Sequence, residues 1–202
     1  MTSFAEYYDR RAPEYDDWYL GAGLFADRDR PGWREDVDAL CGAVAALPPA
    51  RVLDVACGTG FLTRHVRGEV TGLDQSERML AEAAARLPHA RLVKGDAFGL
   101  PFEDGEFERL MTGHFYGHLD PGERERFVAE ARRVAGELLV IDSALHDGVE
   151  PEEWQERTLN DGSRHLVYKR YFTAPGLVAE LGGAGDVVHD GPWFVAVRSP
   201  LT

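Results

Sequence analysis

The stretch Val52-Leu53-Asp54-Val55-Ala56-Cys57-Gly58-Thr59-Gly60 decides the fold. A short apolar run with one carboxylate inside it reads as a strand buried on both faces. The glycines that follow mark a tight strand-to-helix turn. There the backbone can approach a ligand closely and take conformations closed to other residues. Turns of this kind serve nucleotide-binding folds of many sorts, and some hold no ligand. What surrounds this one separates the cases.

Working outward, strands and helices alternate. The glycine turn leads into an expected helix through Phe61, Leu62, His65 and Val66. Val70-Thr71-Gly72-Leu73 is a second strand ending at Asp74, and Ser76 can cap the helix that carries Met79, Leu80, Ala83 and Ala84. Arg91-Leu92-Val93-Lys94 is a third strand ending at Gly95-Asp96, and residues 107–112 read as a fourth. Asp120, Pro121 and Glu123 spell a capping box for a helix that buries Phe127, Val128, Ala131 and Val134. Leu138-Leu139-Val140-Ile141 is a fifth strand. After a short helix opened by Thr173, Val187-Val188 and Trp193-Phe194-Val195-Ala196-Val197 form a hairpin around Asp190-Gly191-Pro192. This order predicts an α/β, doubly wound, mostly parallel seven-stranded sheet with a C-terminal antiparallel hairpin and helices on both faces.

The spacing of carboxylates narrows the chemistry. Asp74 stands 20 residues after Asp54, at the end of the next strand. A carboxylate there can accept both ribose hydroxyls of an adenosine, or can simply cap the turn before Ser76. Asp96 ends the third strand and can accept from an adenine amino group, with Ala97 and Phe98 beside the base. Three carboxylates at three successive strand ends converge on the crevice where such sheets bind ligands. A nicotinamide fingerprint is incomplete, because Gly58 and Gly60 are followed by Thr63 where a third glycine belongs. No Gly-Lys-Ser/Thr phosphate loop occurs.

These segments resemble the class I S-adenosylmethionine-dependent methyltransferases, in the group related to ubiquinone and menaquinone methylases. That family shows an acidic glycine-rich turn after the first strand, an acidic residue after the second and an Asp-Ala pair after the third. Here these are Asp54 to Gly60, Asp74 and Asp96-Ala97. The run Gly95-Asp96-Ala97-Phe98-Gly99-Leu100-Pro101-Phe102 is especially similar, as are His118-Leu119-Asp120 and Glu130-Ala131-Arg132-Arg133-Val134. The resemblance covers about residues 4–145. Ala56 departs from it, standing where the family commonly has glycine, and the usual Pro-Gly-Gly turn before the fifth strand is reduced to Ala135-Gly136. The resemblance implies S-adenosyl-L-methionine as cofactor, held by Tyr8, Tyr15, Asp54, Ala56, Cys57, Gly58, Thr59, Gly60, Asp74, Gln75, Met79, Asp96, Ala97, Phe98 and His114. It leaves the acceptor unnamed.

Methyl transfer from a sulfonium is an in-line displacement at carbon, so alignment and exclusion of water matter most. An oxygen or carbon nucleophile also needs a base, whereas an amine has only to arrive neutral. Histidines titrate near neutrality, and His114, His118 and His146 follow the fourth and fifth strands, so these are the catalytic candidates. His118 has an alternative as a local structural residue, and His114 as a wall of the cofactor site. The N-terminal residues 1–32 are rich in aromatic residues and carboxylates and form an expected cap. Residues 146–172 are polar and aromatic, an expected insertion at the acceptor pocket of a single domain. Trp18, Tyr116, Trp154, Arg157 and Tyr168 are the candidate acceptor contacts, and Lys169 and Arg170 are either surface charges or anion contacts.

Charge sets limits on partners. Lys and Arg total 22 against 35 Asp and Glu, a net charge of −13. No basic patch is present to bind nucleic acid, and residues 112–115 read Thr-Gly-His-Phe, not the Asn/Asp-Pro-Pro-Tyr/Phe that amino-group methylation of nucleic acid calls for. No apolar run approaches membrane-spanning length, and the first residues show no basic region followed by an apolar run. Cys41 and Cys57 form neither a disulfide framework nor a metal pair. A cytoplasmic protein, monomer or homodimer, without metal, is expected to act on a small molecule by O- or N-methylation, with C-methylation open. A cofactor-binding protein without turnover, and a same-fold enzyme putting the cofactor to another reaction, are the alternatives.

Overall fold

The computed structural model describes residues 4–201. Nine strands among them are β1 Ala50–Val55, β2 Gly68–Asp74, β3 Arg91–Lys94, β4 Phe107–Gly113, β5 Ala135–Ser143, β6 Glu152–Thr158, β7 Arg164–Arg170, β8 Asp186–Asp190 and β9 Phe194–Pro200. The α-helices are α1 Phe4–Arg11, α2 Asp17–Leu20, α3 Trp33–Ala46, α4 Glu77–Arg86, α5 Pro121–Val134 and α6 Ala174–Glu180.

Seven strands form one sheet in the order β3-β2-β1-β4-β5-β9-β8. The first five run parallel, and β9 and β8 run antiparallel to their neighbours. Alternate side chains explain why helices cover both faces. In β5, Leu138 and Val140 join one apolar cluster with Phe127, Ala131 and Val134 of α5 and Leu177 of α6. Leu139 and Ile141 join the other, with Val37, Leu40 and Val44 of α3. The same split divides Val195 and Val197 from Phe194 and Ala196 in β9. A period of two with both sets apolar means a strand with no solvent face.

Local sequence starts the helices as expected. Ser76 Oγ accepts from Met79 N at 3.1 Å to cap α4, and Asp120 and Glu123 close a capping box on α5. The structure differs from the sequence reading in two places. The helix through Phe61 to Val66 is only a 3-10 turn, Thr63–His65, because β2 begins at Gly68 and leaves no room for further turns. Residues 146–172, the expected insertion, hold a second, two-stranded sheet of β6 and β7, strands that sequence reading does not assign. Its small core packs Leu159 and Val167 against Tyr7 of α1.

The C-terminal hairpin is tied to α3 by one buried carboxylate. Asp36 Oδ2 accepts from Trp193 N at 2.8 Å and Phe194 N at 3.1 Å, and Oδ1 meets His189 Nε2 at 2.7 Å. Asp36→Ala strands the buried Phe194 and the partly buried Trp193 backbone donors, and urea unfolding is expected to show a loss of about 2–4 kcal/mol. A loss under about 1 kcal/mol would mean that water or backbone shifts satisfy those donors.

Candidate active site

The strand order reverses between β1 and β4, so their carboxyl ends part and leave a crevice, the usual ligand position in open parallel sheets. A cavity of about 320 Å³ lies there, lined by Tyr8, Tyr15, Ala56, Gly58, Leu73, Asp74, Gln75, Met79, Asp96, Ala97, Phe98, His114, His118, Trp154 and Tyr168, among others. A larger cavity of about 980 Å³ adjoins it. Tyr8, Tyr15, His114 and His118 line both, so these four side chains mark the junction.

Asp74 organises the smaller cavity. Its Oδ2 accepts from Gly58 N and its Oδ1 from Ser76 N, each at 2.9 Å. One carboxylate thereby ties the glycine turn after β1 to the turn after β2. Burial pushes its pKa up, against the backbone donors that favour the anion. Asp96, exposed in the turn after β3, accepts from Phe98 N at 2.9 Å, which sets Phe98 on the cavity wall.

Two non-glycine residues among those described take left-handed backbone conformations, Ala56 with φ 59° and His114 with φ 56°. Both sit at strand ends in the crevice. Such conformations cost on the order of 1 kcal/mol or more and persist where the surroundings enforce them, most often at functional sites. Ala56 thus holds a conformation that glycine reaches without strain, and the turn keeps its shape with alanine in that place.

His114 is 6% exposed, and neither ring nitrogen has a hydrogen-bond partner among the described residues. Trp18, Tyr19 and Phe194 surround the ring. Burial drives its pKa down to about 3, though Asp142 stands 3.8 Å away, so the imidazole is neutral. His118 Nδ1 lies 2.6 Å from the Tyr168 carbonyl. That bond makes Nδ1 the donor and leaves the lone pair on Nε2. Burial also holds His118 well below the usual range, so it too is neutral and basic in form. His146 lines the larger cavity, packed on Trp193 with its Nδ1 2.9 Å from the Asp147 carbonyl.

The N-terminal segment closes both cavities. Asp9 Oδ1 accepts from the Ser76 hydroxyl. Asp16 accepts from the Thr59 hydroxyl at 2.6 Å and pairs with Arg86, and Glu14 accepts from Asn160 N at 2.8 Å in the β6–β7 turn. Tyr8 and Tyr15 are thereby fixed over the junction, and burial pushes the Tyr15 phenol up to about 12.

Several expected contacts lie elsewhere. Asp54 sits behind the turn, its Oδ2 accepting from Thr63 Oγ1 at 2.6 Å. Thr59 is engaged by Asp16 and Arg86. Gly60 turns towards Leu87 and Ala83 of the α4 end, and the buried Cys57 thiol contacts its own turn. None of the four lines either cavity. Tyr116 is buried with its hydroxyl on Glu180 at 3.0 Å. It shares a 3-10 turn with His118, and at about three residues per turn the two face different sides. Trp18 and Arg157 line the larger cavity, and Trp154 and Tyr168 the smaller. Lys169 is buried and paired with Asp142, and Arg170 pairs with Glu180 and Glu152. Sequence reading missed Arg11 and Asp142. The signal for Asp142 was present, a carboxylate ending an apolar strand as Asp74 does. Both cysteines are free thiols, no helix is long and apolar enough to cross a membrane, and no group of metal-ligating side chains occurs among the described residues.

A model of a methyltransferase-domain family matches residues 52–137. The demethylmenaquinone methyltransferase of Thermotoga maritima is 34% identical over 143 residues, 67% of this chain and 59% of that protein. The chain thus spans about three fifths of that relative's length. An uncharacterised methyltransferase of Alkaliphilus oremlandii is 22% identical over 83% of this chain and 78% of its own. Among solved structures, a DhpI–SAM–HEP complex matches with a TM-score of 0.73 and 25% identity, covering 99% of this chain and 100% of that one. A DhpI–SAH complex matches at 0.68 and 26%, covering 97% and 94%. The fold and these likenesses together support a class I, Rossmann-like methyltransferase domain related to the menaquinone group.

Asp54 yields a pH test. Burial raises its carboxyl to about 7, and Oδ1 has no partner among the described residues. A folded pKa above the unfolded one contributes stability that is full below the ordinary carboxylate value and is lost as pH rises through about 7. Asp54→Asn cannot ionise, so its melting temperature relative to wild type is expected to rise between pH 5 and pH 8.5, by on the order of 5 °C. A gap independent of pH would show that Asp54 is ionised throughout.

Proposed function

We propose that this class I methyltransferase binds S-adenosyl-L-methionine in the smaller cavity and transfers its methyl group to a small molecule in the larger one. The carrying observation is the junction. Two cavities meet at Tyr8, Tyr15, His114 and His118, one lined by strand-end carboxylates and the other by groups of the N-terminal segment and the β6–β7 hairpin.

The residues present fit the cofactor. Asp74 lies where the ribose hydroxyls need acceptors, and Asp96, Ala97, Phe98 and Met79 make a pocket for the base with one polar edge. The left-handed turns at Ala56 and Gly58 bare backbone for the amino-acid portion. The unpartnered ring of His114 faces the cavities as a buried polar group that a ligand can satisfy. When bound, the sulfonium supplies an electrophilic methyl carbon.

The chain's own work is alignment and proton handling. Tyr8, Tyr15 and Trp18 keep water from the junction, which favours a reaction that disperses charge. The two neutral imidazoles at the junction, His114 and His118, are the groups placed beside a nucleophile that has a proton to lose, so O- or N-methylation is favoured. The bounded larger cavity and the acidic surface support a small-molecule acceptor and not nucleic acid.

Calorimetric titration with S-adenosylmethionine and S-adenosylhomocysteine tests the reading. Micromolar binding is expected, weakened at least about tenfold by Asp74→Ala, the scale of a lost pair of charge-assisted hydrogen bonds. No binding of either compound to folded wild type, free of copurified ligand, would overturn it.

A further inference from the structure

The larger cavity carries an unusual charge. Arg11 is 7% exposed, and no carboxylate lies within ion-pair reach of it among the described residues. Its contacts among the described residues are neutral: Nη1 donates to the Tyr7 hydroxyl at 2.7 Å, and the guanidinium stands over the Tyr7 and Tyr15 rings. An uncompensated buried charge is costly, and in a chain of net charge −13 carboxylates to neutralise it are abundant. The fold nevertheless withholds one.

Arg157, on β6, repeats the arrangement. Its Nε and Nη2 donate to Gln155 Oε1 at 3.3 and 3.0 Å. The Gln155 amide is turned that way because its Nε2 donates to Glu153 at 2.8 Å and the Tyr171 hydroxyl at 2.6 Å. A neutral acceptor thus positions the guanidinium and leaves its charge intact. Both arginines line the larger cavity, and both bear electrostatically on Tyr8, Tyr15, His114 and Lys169, so their fields overlap at the junction.

Among the described residues, no carboxylate of that cavity lies within ion-pair distance of Arg11 or Arg157. Glu14 holds Asn160 N, Glu153 holds Gln155 and Tyr171, and Glu156 pairs with Arg164. Asp29 and Asp147 are exposed. Asp142, behind the wall, is matched by Lys169.

We propose that the methyl acceptor carries an oxyanion, a carboxylate or a phosphate-type group, which is seated by Arg11 and Arg157 in the larger cavity. Guanidinium forks suit both by paired charge-assisted hydrogen bonds. The seat rests on the reading of the smaller cavity as the cofactor site, since that reading makes the larger one the acceptor's.

The test uses the chain saturated with S-adenosylhomocysteine and four probes sharing one ring: phenylphosphonate, phenylacetate, phenylacetamide and phenethylammonium. Calorimetry is expected to show at least one anion binding about tenfold or more tighter than the amide and the ammonium. Arg157→Gln, on the hairpin surface of the cavity, is expected to erase that preference while S-adenosylhomocysteine affinity stays within about twofold. Arg11→Gln is expected to do the same, and Arg157→Gln decides where that variant fails to fold. A phosphonate-only or carboxylate-only result supports the seat and names the oxyanion. Equal binding of anion and amide, no binding of either anion, or an anion preference unchanged in Arg157→Gln overturns it. The same panel on the chain without S-adenosylhomocysteine separates failure of the seat from failure of the cofactor reading.

Discussion

The site depends on one carboxylate holding two turns. Asp74 accepts from Gly58 N and Ser76 N, so the glycine turn after β1, the end of β2 and the start of α4 move as a unit. Everything else in the crevice is placed relative to that unit. Ser76 caps α4 and also meets Asp9 of α1, and Thr59, in the same glycine turn, meets Asp16. The N-terminal segment is therefore fastened to the turns whose backbone faces the cavity. A group that accepts two backbone hydrogen bonds still has lone pairs to spare, which lets Asp74 serve the fold and a ribose together.

The polar residues in the core divide by the same logic. Asp36 accepts three contacts and locks α3 to the C-terminal hairpin. Asp142 accepts from Gly117 N and Ser143 N and pairs with Lys169. These groups are satisfied, and they fix geometry. His114, Arg11 and Arg157 differ. Among the described residues, His114 lacks a hydrogen-bond partner and the two arginines lack an ion-paired carboxylate. All three line the larger cavity, where unmet polar capacity has a use.

The sheet was legible because its buried strands are continuous apolar runs and its carboxylates fall at strand ends. Leu138 to Ile141 announces β5, and Asp74 and Asp96 announce the crevice. The β6–β7 hairpin was not legible. Glu152-Glu153-Trp154-Gln155-Glu156-Arg157-Thr158 buries one face only partly, and no apolar alternation survives for a pattern to detect. Asp54 and Thr59 were misplaced for a different reason. The glycine turn shows that a chain bends, but not which side chains turn inward. Arg11 was overlooked because charge is read per residue, whereas its meaning lies in the missing counter-charge, a property of three-dimensional packing alone.

The hairpin and the N-terminal segment both lie outside the seven-stranded sheet, and they contribute the two guanidiniums. Each arginine is oriented by a neutral acceptor supplied from its own element, Tyr7 for Arg11 and Gln155 for Arg157. An acidic carboxylate in either role would orient the side chain equally well and cancel its charge. The selection of neutral partners at both positions therefore separates positioning from neutralisation. It leaves two guanidiniums at the larger cavity without an ion-pair partner among the described residues, in a chain whose overall charge is strongly negative, and an oxyanion is the ligand that completes them.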